Sequence, residues 1–224
     1  MNTVLFDFDG VIADSLDYAF NWFGYAAGKF GVELPFENPA GFKDSFIEPF
    51  PEFYKWLGFD WEEDREAIYD AYIDYHAAHP VGLVDGIKVV ISELGRKPWV
   101  KLGIVSSNDQ QVLEDNLAHH DLAGYFDVVI GVNKDLSIPL KPNPTSLLMA
   151  LSQLGSSLSE SVYIGDQPSD ILTAQNAEKK AQNGSLQTIG VTTGFATRSR
   201  LEKATPRPDH IIDHPLEILT ALKQ

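Results

Sequence analysis

The 224-residue chain predicts an α/β fold, a doubly wound parallel sheet with a small α-helical cap domain. Three observations carry this expectation. Short apolar runs alternate with stretches of helical period. Polar clusters follow several of those runs, directly or after a short loop. A single block near the N-terminus breaks the alternation and contains no convincing strand.

The first run, residues 4–8, reads as a buried strand that ends in two acids and a glycine, with Gly10 letting the chain turn sharply away. Residues 16–82 then form the interrupting block. Its clearest element spans 63–78, where Ala67, Ile68, Ala71, Tyr72 and Tyr75 fall on one helical face. This places a helical cap at 16–82 and a core domain at 1–15 and 83–224. Further strands are expected at 100–105, 127–131, 162–164 and 187–191. A short last strand at 210–212 and a helix from Pro215 complete the expectation.

Composition narrows the function. The chain has no cysteine, which excludes disulfides and thiolate metal sites. A net charge of −15, with no basic patch, argues against nucleic acid and anionic membrane as partners. The chain enters its first strand at once, without a leader or an apolar span of membrane length, so a cytoplasmic location is expected, and a monomer or weak homodimer is expected beside it. The six histidines are scattered and read as surface or core residues.

The block 16–82 is unusual in two ways. Positions 18–75 hold 18 of the 25 aromatic residues, which either fill the core of a small helical unit or line a substrate wall. From position 14 to 84 there are four basic residues (Lys29, Lys43, Lys55, Arg65) against fourteen acidic ones, which argues against a polyanionic substrate. Lys43 is a candidate substrate contact because Pro39 and Gly41 mark a turn there, with an ordinary surface lysine as the alternative.

Four polar clusters carry the chemistry. Asp7 and Asp9 lie at the C-terminal tip of the first strand, the edge of an open α/β sheet where ligands bind. Asp7 could attack phosphorus as a nucleophile, and Asp9 could protonate the leaving oxygen. Ser106, Ser107 and Asn108 close the second run, where hydroxyls, amides and a helix N-terminus suit phosphate oxygens or simply cap the helix. Lys141, between Leu140 and Pro142, presents one ammonium on a rigid loop. Asp166 and Asp170 follow the fourth run across Gly165 and Pro168. With Asp7 they would form an oxygen site for Mg²⁺, or either could cap the next helix. Four carboxylates gathered on one edge call for a divalent cation and for Lys141 to offset them.

The order and spacing DxDGxxxDS, Ser, Lys, GDxxxD resemble the haloacid dehalogenase-like hydrolase superfamily, and the stretch IGVTTGFATRSRLEKA resembles its phosphoglycolate-phosphatase-like branch. The resemblance implies a Rossmann-like core and a Mg²⁺-dependent phosphatase acting on a small phosphorylated metabolite through an aspartyl-phosphate. It implies Asp7 as nucleophile and metal ligand, and Asp9 as general acid/base lending its main-chain carbonyl to the metal. Ser106 and Lys141 would bind the phosphoryl group, and Asp166 would complete the metal site. Asp170 would be a ligand through water or a supporting acid. The chain departs from the family at 178–187, a polar extension expected on the surface, and at SSN, where many relatives have Thr then Asn. Which hydroxyl binds phosphate is therefore open, Ser106 aligning best. Two alternatives remain: a sugar phosphomutase of the same superfamily, and a non-catalytic phosphometabolite-binding regulatory protein. Ala19 stands where the mutases place a cap histidine, and a binding module has no need of the Asp7 nucleophile.

Overall fold

The computed structural model describes residues 2–182 and 184–222. Six strands form one parallel sheet in the order β3-β2-β1-β4-β5-β6. They are β1 Thr3–Phe6, β2 Lys101–Asp109, β3 Val128–Val132, β4 Ser161–Gly165, β5 Gln187–Val191 and β6 His210–Ile212. β1 lies at the centre, with Leu5 opposite Gly103 of β2 and opposite Tyr163 of β4. The strand order reverses between β1 and β4, which makes their carboxyl ends a topological switch point.

Near-continuous burial of short apolar runs, as in a parallel sheet covered on both faces, explains the strands, and two boundaries depart from the sequence expectation by two residues or more. β1 stops at Phe6, and the Asp7 amide continues the pairing only as far as Ile164 O, 2.8 Å away. β2 runs four residues beyond Val105, through Ser106, Ser107 and Asn108 to Asp109, with its register against β3 shifting between Val105 and Asp109. That irregularity re-aims polar side chains that a continuous pleat would point to alternate faces.

The chain divides into two compact units, one running up to Asp14 and onward from Gly82, the other Ser15–Val81. The second unit holds α1 Leu16–Phe30, α2 Pro39–Ser45, α3 Phe50–Leu57 and α4 Trp61–Ala78. The expected turn around Lys43 is instead the helix α2, begun by Asn38, whose side chain accepts the Gly41 amide at 2.9 Å, with Pro39 at the first position. Asp60 caps α4, and Glu62, Glu63 and Asp64 lie in its first turn, where carboxylates suit the helix dipole. The buried stripe of α4 passes through Ile68, Ala71 and His76, while Ala67 is exposed. Phe42 and Phe53 are fully buried at the centre of the unit. Phe23 packs 5.0 Å from both Phe53 and Tyr54, and the Trp22 indole donates to the Tyr54 hydroxyl at 2.7 Å.

In the first unit, α5 Ile87–Gly95 and α6 Gln110–His119 precede β2 and β3 respectively. α7 Thr145–Leu154 and α8 Pro168–Ala181 pack together over Leu5, Val105, Ile130 and Tyr163. With this strand order, the right-handed crossover general to parallel strands puts the two pairs on opposite faces. α9 Arg198–Glu202 precedes β6. A 3₁₀ turn at Pro215–Glu217 leads into α10 Ile218–Ala221, in place of the single helix expected from Pro215. Within the 178–187 stretch α8 continues to Ala181. Lys179, Lys180 and Gln182 are exposed, Leu186 is buried, and position 183 lies outside the described residues.

Candidate active site at the sheet switch point

The carboxyl ends of β1 and β4 bring Asp7, Asp166 and Asp170 together. All three are buried, and one ligand oxygen from each lies within 4.8 Å of the others. Lys141 joins them from the loop between β3 and α7, with Nζ 2.7 Å from Asp7 Oδ1 and 2.6 Å from Asp170 Oδ1. Asp7 Oδ1 lies at ion-pair distance but receives no well-directed hydrogen bond, which leaves that buried oxygen undersatisfied.

Burial pushes the Asp7 carboxyl up to about 8. The Lys141 ammonium opposes that rise, while Asp170 and Asp9 add to it. Three buried carboxyl groups thus face one ammonium, and ionising all of them is favoured by a divalent cation. The donor set is oxygen alone, which fits Mg²⁺.

Asp166 is fixed from behind. Its Oδ2 accepts the Phe195 amide at 2.5 Å, in the loop after β5. A side chain at Gly10 (φ 73°) would come within 2.6 Å of that oxygen, and one at Gly194 within 2.1 Å. Both glycines are therefore required by the approach of the β1 and β5 loops to the carboxylate. Asp170 is held on both sides, its Oδ1 by Lys141 and by the Tyr163 hydroxyl at 3.1 Å, its Oδ2 by the Gln167 amide at 3.0 Å. The last of these contacts also belongs to a capping box that starts α8.

The three polar residues of β2 divide their contacts. The Ser106 hydroxyl accepts the Asn108 amide at 3.0 Å, and the Ser107 hydroxyl accepts the Lys141 amide at 3.3 Å. Asn108 Nδ2 donates to Asp9 Oδ2 at 2.9 Å, and Asn108 Oδ1 accepts the Asp109 amide at 2.7 Å. Asp109, rather than Ser106 or Asn108, caps α6 by accepting the Gln111 and Val112 amides. Two of the first amides of α6, those of Gln111 and Val112, are thereby occupied by the cap. The Asp9 side chain lies outside the three-acid cluster and faces Asn108. Lys43 sits in the last turn of α2, in the helical unit.

Sequence reasoning missed Tyr163, Gly194 and the Phe195 amide. Tyr163 reads as one more apolar strand residue, and TTGFA carries no spacing that ties it to Asp166. Only the parallel pairing of β4 with β5 brings that loop to the acid.

Comparison with known proteins agrees with this architecture. A pyrophosphatase PpaX of Bacillus cereus is 28% identical over 227 residues, covering 99% of this chain and 96% of that protein. A crystal structure from Clostridium acetobutylicum, described as a predicted phosphatase, superposes with a TM-score of 0.83 at 25% identity, covering 100% and 99% of the two chains. A Thermotoga maritima structure described as a candidate beta-phosphoglucomutase shares the fold, with a TM-score of 0.69 at 23% identity over 100% and 99%. The family model of haloacid dehalogenase-like hydrolases matches residues 4–182, well over half of the 224, and the chain belongs to that family.

Proposed function

We propose that this hydrolase is a Mg²⁺-dependent phosphatase that cleaves a small phosphorylated metabolite through an aspartyl-phosphate on Asp7, with the helical unit serving as its cap. One observation carries the reading. A buried carboxylate at the switch point sits 2.7 Å from a buried ammonium and beside two further buried acids. Such a charge cluster is costly as mere structure and useful for phosphoryl transfer.

Asp7 and Asp166, with the Asp9 main-chain carbonyl, would hold the ion, and Asp170 would support it directly or through water. Bound there, Mg²⁺ supplies positive charge to a phosphoryl oxygen and favours the ionised form of Asp7. In the first step an Asp7 oxygen attacks phosphorus, and the bond to the leaving oxygen breaks as Asp9 protonates that oxygen. In the second step Asp9, now a carboxylate, takes a proton from water. The water oxygen attacks phosphorus, freeing inorganic phosphate and restoring the Asp7 carboxylate. Lys141 offsets charge on the phosphoryl oxygens, and the Ser106 hydroxyl holds one of them, with Ser107 and Asn108 supporting the same cradle. Asn108 also orients Asp9 through its 2.9 Å hydrogen bond. Lys43, in the last turn of α2, is a candidate substrate contact.

The pyrophosphatase name of the Bacillus cereus relative adds inorganic pyrophosphate to the substrates worth testing. Purified protein with Mg²⁺ is expected to free phosphate from at least one member of a panel of phosphomonoesters plus pyrophosphate. Asp7→Asn should stay folded and fall below about 1% of wild-type turnover, because a covalent nucleophile is worth several kcal/mol. Turnover above that level would sink the nucleophile role, and an inactive wild type across the panel would sink the phosphatase.

A further inference from the structure

We infer that Tyr163 is a positioning residue whose buried hydroxyl locks Lys141 and Asp170 to the strand that carries Ser106. The inference rests on the phosphatase reading above and goes beyond it. Tyr163 lies in the middle of β4 with no exposed surface. Its ring belongs to the apolar cluster with Leu5, Val105, Leu147 and Ala174, and phenylalanine would fill that space equally well. A hydroxyl in such a place is unfavourable unless it is bonded.

This one is bonded on three sides. It lies 3.0 Å from Val105 O, 3.1 Å from Asp170 Oδ1 and 3.4 Å from Lys141 Nζ. A phenol has one proton to donate and lone pairs to accept with. Its proton goes to the Val105 carbonyl or the Asp170 carboxylate, and its oxygen faces the ammonium. Val105 immediately precedes Ser106 in β2. Through one oxygen, the phenol therefore links the backbone of the phosphate-binding strand, the Lys141 loop and the first turn of α8.

The lysine needs such a fixture. Its stem has four rotatable carbons, and two carboxylates pull on its ammonium from 2.7 Å and 2.6 Å. A shift of the ammonium by a fraction of an ångström towards Asp170 would take it from the phosphoryl oxygens, and displacements near 1 Å can cost roughly a hundredfold in rate.

Tyr163→Phe removes the hydroxyl and keeps the ring. We expect kcat to fall about tenfold or more, with KM changed by less than about threefold and the folded state retained. In a Lys141→Ala background the same substitution should produce no further loss, because the phenol acts through the lysine. An unchanged kcat, or losses that multiply fully in the double variant, would overturn the proposal. Should Tyr163→Phe not fold, Tyr163→Met supplies the same comparison with a flexible apolar filler. Should the wild type hydrolyse no substrate, the proposed function fails separately. The Lys141 side-chain ¹⁵N signal, identified by its loss in Lys141→Ala, then decides. It is expected to be sharp and slowly exchanging in wild type and broadened in Tyr163→Phe, and an identical signal in both would refute the positioning role.

Discussion

Burial holds the Asp7 carboxyl near 8 even though an ammonium lies 2.7 Å away. Its ordinary value is 3.8, so the folded metal-free protein keeps a proton that the unfolded chain releases above about pH 4. A raised folded value contributes stability that is fully present below 3.8 and lost as pH rises towards 8. A cation site built on ionised Asp7 runs the other way, since Mg²⁺ must displace that proton. Melting in EDTA should therefore fall between pH 5 and 8, and the increase in Tm from millimolar Mg²⁺ should grow over the same interval. Calorimetry in two buffers of different ionisation enthalpy should detect proton release on Mg²⁺ binding at pH 6 to 7. Equal Tm with Mg²⁺ and EDTA across the range would count against the site. At this scale much was legible in the sequence: Asp7, Lys141, Asp166 and Asp170 were placed by the strand ends that precede them. The pairing of Asn108 with Asp9, 99 residues away, and the Tyr163 contacts were not, because they depend on strand register and on a bulge that spacing does not encode.

Elements marked by a short apolar run or a clear helical period are the most legible. β5 and β6 fall where the apolar pattern puts them, and α4 begins two residues before its expected start. The turn-forming side chains of Ser106, Ser107 and Asn108 predict an end of β2 at Val105, whereas in the sheet they extend the strand over a register shift. Pro39 and Gly41, breakers inside a helix, predict a turn at α2, yet Pro at the first position and an Asn cap start a helix there. Burial assigns part of the aromatic-rich set to the core of the helical unit. Phe53 is fully enclosed and touches Phe23, Phe42 and Phe46, whereas Trp56, stacked on its outer side, is 52% exposed. Phe53→Ala should therefore cost about 3–5 kcal/mol in denaturant unfolding. Trp56→Ala should cost about 1 kcal/mol or less. Similar costs for the two would mean that these rings do not form the core of the helical unit.

At the scale of the whole chain, a parallel sheet whose order reverses between β1 and β4 accounts for why residues as far apart as Asp7 and Asp170 meet at one edge. The fold is shared with structures described as a phosphatase and as a beta-phosphoglucomutase, so it does not choose between water and a second hydroxyl as phosphoryl acceptor. Two features of this chain favour water and a small substrate. Ala19, in α1, has no group to hold or move a proton, and by the family resemblance it stands where the mutases carry a histidine. The net charge of −15 repels polyanions at long range and does so more weakly as salt rises. With Mg²⁺, the protein is expected to free inorganic phosphate from sugar or small-acid monophosphates at a higher kcat/KM than from more highly charged phosphates. Following hexose 1-phosphate by ³¹P NMR separates the acceptors directly, since hydrolysis gives the inorganic phosphate signal and mutase action gives the 6-phosphate. Interconversion faster than phosphate release would reassign the chain to the mutases, and a kcat/KM for pyrophosphate above that of every monoester tested would overturn the small-monoester preference.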